Sequence, residues 1–151
     1  MAGKKELYNA IVTGLRADTG VGSLVALTGY TTSNMSISRS NPPIKGKAKF
    51  LGAHVPMSVP LIEDGVTQWQ RSTLDLWCIA KTELTAIEIA DRIETLTHPT
   101  DNRDYWDFSD ANIRTKRTEF VSRRGAEKDE DTEAWSVLIR LEIIWLNLPC
   151  P

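Results

Sequence analysis

The chain has 151 residues, of which 41% are hydrophobic and 25% are charged, and its formal net charge is -2. A chain of this length buries a core without disulfide or metal staples, and we expect one domain spanning residues 1–151. The small negative charge excludes a protein whose whole surface attracts nucleic acid, and the lack of any run of about 20 apolar residues excludes a membrane-spanning helix.

The first predicted element is a helix from about Lys4 to Ala17. Its apolar residues recur at the helical period and form one stripe: Leu7, Ile11, Val12 and Leu15. This periodicity also argues against a signal peptide, whose apolar segment is continuous, so we expect an intracellular, reducing setting. The Gly20-Val21-Gly22 segment that follows is predicted to be a turn, because a dinucleotide fingerprint needs a preceding strand and a third glycine.

The stretch from about Thr31 to Glu63 is rich in Ser, Pro and Lys and is predicted to contain a long loop insertion, around Asn41 to Val59. Short strand-like pieces are predicted at Met35 to Ser38 and at His54 to Val59, and Pro56 and Pro60 place them at a sheet edge or in a loop. Its cations have no acid among them: Arg39, Lys45, Lys47 and Lys49. We expect either an arm that contacts DNA phosphates or a neighbouring subunit, or a solvated loop.

A strand is predicted from about Gln68 to Ala80. Its second half is apolar on both faces, which indicates a position inside the sheet. Thr82 is predicted to cap the next helix, and Pro99 marks its end. The apolar stripe of this helix is expected to comprise Leu84, Ile87, Ala90, Ile93 and Leu96.

The segment from His98 to Asp110 alternates acidic and aromatic residues. Its aspartates are Asp101, Asp104, Asp107 and Asp110, and its aromatic residues are Tyr105, Trp106 and Phe108. The spacing of three and the lack of a glycine do not fit a calcium loop. We expect the aromatic side chains to fix a connecting loop to the core while the aspartates face water.

No catalytic, metal or cofactor motif is present in the sequence. Cys78 is predicted to be a small buried hydrophobe and Cys150 to belong to a loose tail, because neither has metal-ligand spacing to a second ligand. His54 and His98 have no motif partner for a triad. The chain has no P-loop, no G-x-S-x-G and no H-E-x-x-H. We therefore predict that it is not an enzyme and binds no cofactor or metal.

The last two long strands, from about Ala111 to Arg123 and from Ala134 onward, are predicted to form a C-terminal hairpin. The final strand has one apolar face that carries Trp135 and Trp145. Its other face combines apolar and charged residues: Ser136, Leu138, Arg140, Glu142, Ile144 and Leu146. Something other than water is expected to contact this second face.

The same hairpin separates its charges along its length. The stem is basic, with Arg114, Lys116, Arg117, Arg123 and Arg124 against Glu119. The tip is acidic, with Glu127, Asp129, Glu130, Asp131 and Glu133 against Lys128. The tip is either a solvated loop or an arm that reaches a neighbouring subunit, base to acid, in a repeating assembly.

The element order resembles that of the tail-completion or tail-terminator proteins of long-tailed bacteriophages. The segments that carry the resemblance are LYNAIVTGLRADTGVGSLVALTG, STLDLWCIAKTELTAIEIADRIETL and the closing WSVLIRLEIIW. The resemblance implies an α+β fold, with a mostly antiparallel sheet and two helices packed on one face. The chain departs from the family in its Lys/Pro-rich insertion and in the size of its acidic tip.

The resemblance also implies a function. Family members form a ring, commonly a homohexamer, at the head-proximal end of the tail tube, where they end tube polymerisation and join the tail to the capsid neck. The implied partners are further copies of the chain, the tail-tube protein and a neck or head-completion protein, with DNA passing through the lumen unbound. The implied location is the tail–neck junction of the virion, after synthesis in the host cytoplasm.

The predicted interface follows from the two-faced final strand. The tryptophan-bearing face is expected to meet the helices of its own subunit, while Leu138, Ile144 and Leu146 abut an adjacent subunit or tube protein, with Arg140 and Glu142 pairing across that contact. Three alternatives remain: another neck or baseplate protein, a small enzyme that uses His54, His98 and the aspartates, and a nucleic-acid-binding module that uses the segment from Arg39 to Lys49.

Overall fold

A computed structural model describes residues 4–18, 20–21, 37–39, 49–63, 67–98, 106–130 and 133–147. Two long helices and six strands lie in these ranges. The helices are α1 (Lys4–Ala17) and α2 (Glu83–Thr97), and the strands are β1 (Ile37–Arg39), β2 (Lys49–Glu63), β3 (Thr67–Ala80), β4 (Ile113–Arg123), β5 (Glu127–Lys128) and β6 (Trp135–Asn147). The fold class is α+β, as predicted.

The strands form one sheet in the order β1-β2-β3-β6-β4, with β5 also paired to β6. Only β1 and β2 run parallel, and every other pairing in the described ranges is antiparallel. The two long strands of the predicted C-terminal hairpin are β4 and β6, which pair from Ile113 opposite Asn147 to Arg123 opposite Ile139. Because β6 lies between β3 and β4, its outward side chains are flanked on both sides.

We call the face of the sheet that carries the helices the inner face. Helix α2 packs on β3 and β6, and α1 packs on the strands nearer the edges. Alternate residues of β6 are buried on this face, namely Val137, Ile139, Leu141, Ile143 and Trp145. The prediction that the tryptophan-bearing face of β6 meets the chain's own helices is therefore confirmed.

Helix α2 begins and ends close to the predicted positions. The Thr82 hydroxyl accepts a hydrogen bond from the Thr85 backbone N–H at 3.3 Å, as expected for a cap, and the last helical residue is Thr97. The predicted apolar stripe was wrong at its first member, because Leu84 is 66% exposed. The buried stripe instead includes Ala86 and Ile89, so this face is rotated from the predicted one.

Helix α1 is fixed to the sheet and to the loop before β4. The Tyr8 hydroxyl accepts a hydrogen bond from the backbone N–H of Val55 at 2.7 Å. Gly14 allows the close approach of Phe108, since a Cβ atom at Gly14 would lie 2.7 Å from the Cδ1 atom of that ring. Trp106 and Phe108 are buried with ring centroids 4.6 Å apart, so these two aromatic residues do fix the loop to the core.

An ion pair joins the end of α1 to α2. The Arg92 guanidinium donates to both carboxylate oxygens of Asp18, at 2.7 and 3.0 Å, and the Val21 N–H donates to the same carboxylate at 2.8 Å. Burial alone would raise the pKa of Asp18, but these hydrogen bonds and the guanidinium charge outweigh it and lower the pKa. Asp18 thereby acts as a charged link between the helices.

Strand β2 is longer than the sequence suggested. The loop insertion expected from Asn41 to Val59 contains a strand from residue 49 onward, and only its earlier part lies outside the described residues. Pro56 lies at an irregularity in the pairing with β3, between His54 and Met57. Strand β1 pairs with residues 51–53 of β2 and Pro60 pairs with Gln70 of β3, and the edge position of the two prolines stays a prediction.

Candidate interaction surface on the outer face of the sheet

We call the face of the sheet opposite the helices the outer face. Its register places β3 and β6 side chains beside each other, with Trp77 opposite Leu138, Asp75 opposite Arg140 and Arg71 opposite Ile144. Strand β4 adds a further row, because Arg117 pairs with Ile144 and Arg114 with Leu146. The outer face therefore brings together the residues that the sequence assigned to the second face of the final strand.

The apolar side chains of this face are partly covered by their own chain. Trp77, Leu138 and Leu146 are half-buried, whereas Ile144 is only 9% exposed. Val59 on β2 is 44% exposed. A partner would thus meet Trp77, Leu138 and Leu146, and the surface that Ile144 offers is small.

Two cations cross β6 to reach tryptophans on β3. The Arg124 guanidinium carbon lies 5.1 Å from the ring centroid of Trp77, and the Lys116 ammonium lies 5.2 Å from that of Trp69. Both cations come from the β4 side of β6, so their side chains pass over its outer surface. These cation–π contacts explain how the apolar second face of β6 is shielded within a single copy.

A bidentate ion pair occupies the middle of the face. Arg140 donates to the two carboxylate oxygens of Asp75 at 2.8 and 3.0 Å. The Asp75 side chain is 7% exposed, whereas that of Arg140 is 45% exposed. Hydrogen bonding to Asp75, together with its charge, raises the pKa of Arg140. The buried carboxylate is thus neutralised by a guanidinium that remains open to a partner.

Two more ion pairs flank this one. Arg71 lies 3.4 Å from Glu142, and Arg117 lies 3.2 Å from Glu119. Arg140 and Glu142, which the sequence suggested would pair across a contact, each pair with a β3 residue of the same chain. Within one copy both side chains already form ion pairs. Their pairing across a subunit boundary stays a prediction.

Arg123 does not join the outer face. Its guanidinium lies on the inner side, where one nitrogen donates to Asp91 at 2.7 Å and to Glu94 at 2.8 Å, both on α2. Burial opposes the charge of Arg123, but the two carboxylates outweigh it and raise the pKa. Arg123 therefore links the end of β4 to α2, in contrast to Arg124, the next residue along the chain.

The acidic tip folds back beside the outer face. Strand β5 pairs with the start of β6, Glu127 opposite Ser136, and Arg124 lies 3.4 Å from Glu127. The Asp129 N–H donates to the Ala134 carbonyl at 2.8 Å, which closes the turn. A groove of about 260 Å³ separates the tip from the sheet and is lined by Trp77, Ile79, Glu127, Lys128, Asp129, Ala134 and Ser136.

The structure describes some of the remaining predicted residues and not others. Asp131, Lys45 and Lys47 lie outside the described residues, as do Asp101, Asp104, Tyr105 and Cys150. Arg39 ends β1 and Lys49 begins β2, opposite Ala53 and Ala80 respectively. The DNA-contact prediction for this stretch therefore rests on its sequence alone.

Of the residues proposed for a scattered enzyme site, the structure describes the side chains of His98, Asp107 and Asp110. Asp107 and Asp110 are exposed, and each accepts a backbone N–H of its own turn, from Ser109 at 2.8 Å and Asn112 at 2.7 Å. No group of metal-ligating side chains occurs among the described residues. Burial raises the pKa of the Cys78 thiol to about 12, so this cysteine is an inert core residue.

The sequence did not reveal the cation–π contacts. Alternation along β3 places Trp69 and Trp77 on one face, but which cations reach them depends on the strand order, with β6 between β3 and β4. The register supplies the missing information, since Arg124 donates its backbone N–H to the Leu138 carbonyl at 2.9 Å.

No helix in the described part of the chain is long and apolar enough to cross a membrane.

Comparison with known proteins adds a shared fold. No protein-family model matches the chain, and no curated protein matches it. A chain solved in the virion of a native gene transfer agent particle aligns with a TM-score of 0.62 and 12% identity, over 93% of this chain and 94% of that chain. A second solved structure, whose name states no function, aligns with a TM-score of 0.55 and 14% identity over 99% of each chain. At these identities the likeness shows the fold alone.

Proposed function

We propose that this protein is a structural component of a phage-like virion and that it forms a ring at the head-proximal end of a tail tube. The ring, of six copies in our proposal, ends tube polymerisation and joins the tail to the neck. It contacts the tail-tube protein on one side and a neck or head-completion protein on the other. DNA passes through its lumen without specific binding.

The observation that carries this proposal is the shared fold. The chain aligns over 93% of its length with a chain of a gene transfer agent virion, which also aligns over 94% of its own length. The two chains therefore share an architecture over nearly all of both sequences. The order of helices and strands in this chain also supports the resemblance to tail-terminator proteins.

The outer face supports a protein partner in particular. Tryptophan and arginine are the residues most enriched where protein interfaces derive their affinity. Here Trp77 is half-buried beside Leu138, and Arg140 is half-exposed above Asp75. Because the carboxylate already has its cation, a partner can cover this pair without leaving a buried charge uncompensated.

Nucleic acid fits this face less well. Phosphates are bound by cations that are free to replace their counterions. On the outer face Arg71, Arg117, Arg124 and Arg140 each pair with a carboxylate of the same chain, and Arg114 is the exception among the described arginines of this face. The net charge of -2 gives the whole protein no attraction for a genome that has to pass through the ring.

Electron microscopy of the purified protein with polymerising tail-tube protein tests the proposal. We expect open rings in the protein alone and tubes of limited length that carry one such ring at a single end. Tubes of the same length with and without the protein would contradict the capping role. A ring bound to a neck or baseplate assembly, but not to tubes, would favour the alternative of a neck adaptor or baseplate protein.

A variant with Leu138→Asp supplies the control for this experiment. The substitution places a carboxylate in the half-buried outer face beside Trp77 and leaves the inner face unchanged. We expect the variant to fold, to form no rings and to leave the tubes uncapped. A variant that caps tubes as well as the native chain would remove the outer face from the proposed contact.

A further inference from the structure

The two ends of the outer face carry opposite net charge. We call the surface around Leu146 the basic end: it holds four cations (Arg71, Arg114, Lys116 and Arg117) and two carboxylates (Glu119 and Glu142), a net of +2. We call the hairpin tip the acidic end: its described residues hold two cations (Arg124 and Lys128) and four carboxylates (Glu127, Asp129, Glu130 and Glu133), a net of -2.

The middle of the face is neutral. Arg140 and Asp75 form a closed pair there, and Trp77 with Leu138 lies between that pair and the acidic end. The part of β6 from Ser136 to Leu146 spans roughly 33 Å at about 3.3 Å per residue of strand. This separation exceeds the Debye length of about 8 Å at physiological salt, so the two ends do not neutralise each other within one copy.

We infer that copies of this chain associate head to tail, with the acidic end of one copy against the basic end of the next. This inference deepens the proposed function and rests on it, because it names the contact that builds the ring. Each copy then uses two different surfaces, which is the arrangement that closes into a ring when the rotation between copies is suitable. Like ends repel, so the charges also set the direction of the contact.

The exposed members of each end define the contact. Glu130 and Glu133 project from the turn of the tip and are exposed, and neither forms an ion pair within the described residues. At the other end, Arg114 is exposed and likewise has no ion pair in the described part of the chain. The groove beside the tip, with Trp77 and Ile79 on its floor, gives the aliphatic part of an incoming cationic side chain an apolar surface.

Charge exchange between two variants tests the inference. Glu130→Lys makes the acidic end more basic, and Arg114→Glu makes the basic end more acidic. By light scattering, each variant alone is expected to associate about tenfold more weakly than the native chain, because attraction is replaced by repulsion. An equimolar mixture is expected to recover native association. In the mixture the altered tip of one variant meets the altered basic end of the other at alternate contacts, and the unchanged ends meet at the remaining contacts.

Matched controls carry the same charge changes on the helical side. Glu88→Lys lies on an exposed position of α2 and Lys5→Glu on an exposed position of α1, and both are expected to associate like the native chain. Thermal unfolding within a few degrees of the native value shows that all four variants fold.

The outcomes separate this inference from the proposed function. Native-like rings from Glu130→Lys and Arg114→Glu alone would overturn the head-to-tail contact and leave the capping role intact. If the mixture of variants forms only dimers, the head-to-tail geometry is wrong. Two copies whose outer faces pack antiparallel would also place each basic end against an acidic end. A native chain that stays monomeric at every concentration and does not cap tubes would overturn both.

Discussion

The side chains on the two faces of β6 are buried to different extents and by different groups. On the inner face Ile139 and Leu141 are fully buried by helices of the same chain. On the outer face Leu138 and Trp77 are half-buried, and Arg124 lies over the Trp77 ring. Among the described residues, helices cover the inner face, whereas long charged side chains lie over the tryptophans of the outer face.

This difference separates stability from association. Residues packed by the helices contribute to the free energy of unfolding, because no water reaches them in the folded state. Residues under movable cations contribute less to unfolding and are available to a partner. Neighbouring positions on one strand should therefore differ in which of the two properties they control.

The largest expected effect comes from truncating adjacent residues of β6. Ile139→Ala removes a fully buried side chain and should lower the free energy of unfolding by about 2–5 kcal/mol, whereas Leu138→Ala should cost about 1 kcal/mol. Urea denaturation measures both. In light scattering the order should reverse, with Leu138→Ala weakening association more. Equal unfolding costs at the two positions would remove the distinction between the faces.

The second effect concerns the ion pair in the middle of the outer face. Arg140→Leu leaves the Asp75 carboxylate, 7% exposed, without its cation and should cost about 2 kcal/mol of stability. Replacing both residues by leucine should recover most of that loss in urea denaturation, because no charge then remains buried. A double variant as unstable as the single one would show that the pair itself, rather than the orphaned carboxylate, determines the cost.

The third effect lies on the helical side and depends on pH. Asp18→Asn should lower the free energy of unfolding by about 1–2 kcal/mol at pH 7, because it removes a charged acceptor of Arg92 and Val21. The folded pKa of Asp18 lies below its ordinary value of 3.8. The stabilisation is therefore fully present above that value and is lost as the pH falls through the folded pKa.

The measurement is a series of urea titrations from pH 7 to pH 2 on the native and Asp18→Asn proteins. Their difference in unfolding free energy should shrink below pH 3.8, the ordinary value for this carboxyl. A difference that stays constant across the series would show that Asp18 acts through packing and not through its charge. The exposed Glu88→Gln variant on α2 serves as the control for loss of one carboxylate.

The smallest effect is at the acidic end. Glu133 has a φ of 58°, in the left-handed region that disfavours a side chain with a Cβ atom. Glu133→Gly should raise the free energy of unfolding by about 0.5–1 kcal/mol. Thermal unfolding measures this change. Glu130→Gly, at another position of the same tip, removes the same charge without relieving positive φ and should not stabilise. Equal effects would indicate that charge repulsion in the tip, rather than backbone strain, had been relieved.

The sequence predicted what depends on local periodicity. Helix α1, strand β3, the Thr82 cap and the C-terminal hairpin all follow from spacing of apolar residues or a capping hydroxyl, and the structure contains each of them. Spacing was less reliable on α2, where Leu84 shares the stripe in sequence but lies at the first turn and points to solvent. The prolines of β2 suggested only short strand-like pieces, although Pro56 lies at a bulge and Pro60 pairs in register with Gln70.

The candidate surface depended on information that the sequence lacks. Alternation showed that Leu138 and Ile144 share a face, but not that Ile144 would be flanked by Arg71 and Arg117 and so nearly buried. Likewise, Arg123 and Arg124 are adjacent cations in sequence, and only the register places them on opposite faces. Strand order determines both results, and a charge pattern along one strand does not encode it.

We propose that the outer face is completed by another copy of the chain. Light scattering of the native protein over a wide concentration range tests it most directly, with the Leu138→Asp variant measured in parallel. We expect a species larger than a dimer for the native chain and a folded monomer for the variant. A native chain that remains monomeric throughout, or a variant that assembles equally well, would contradict it.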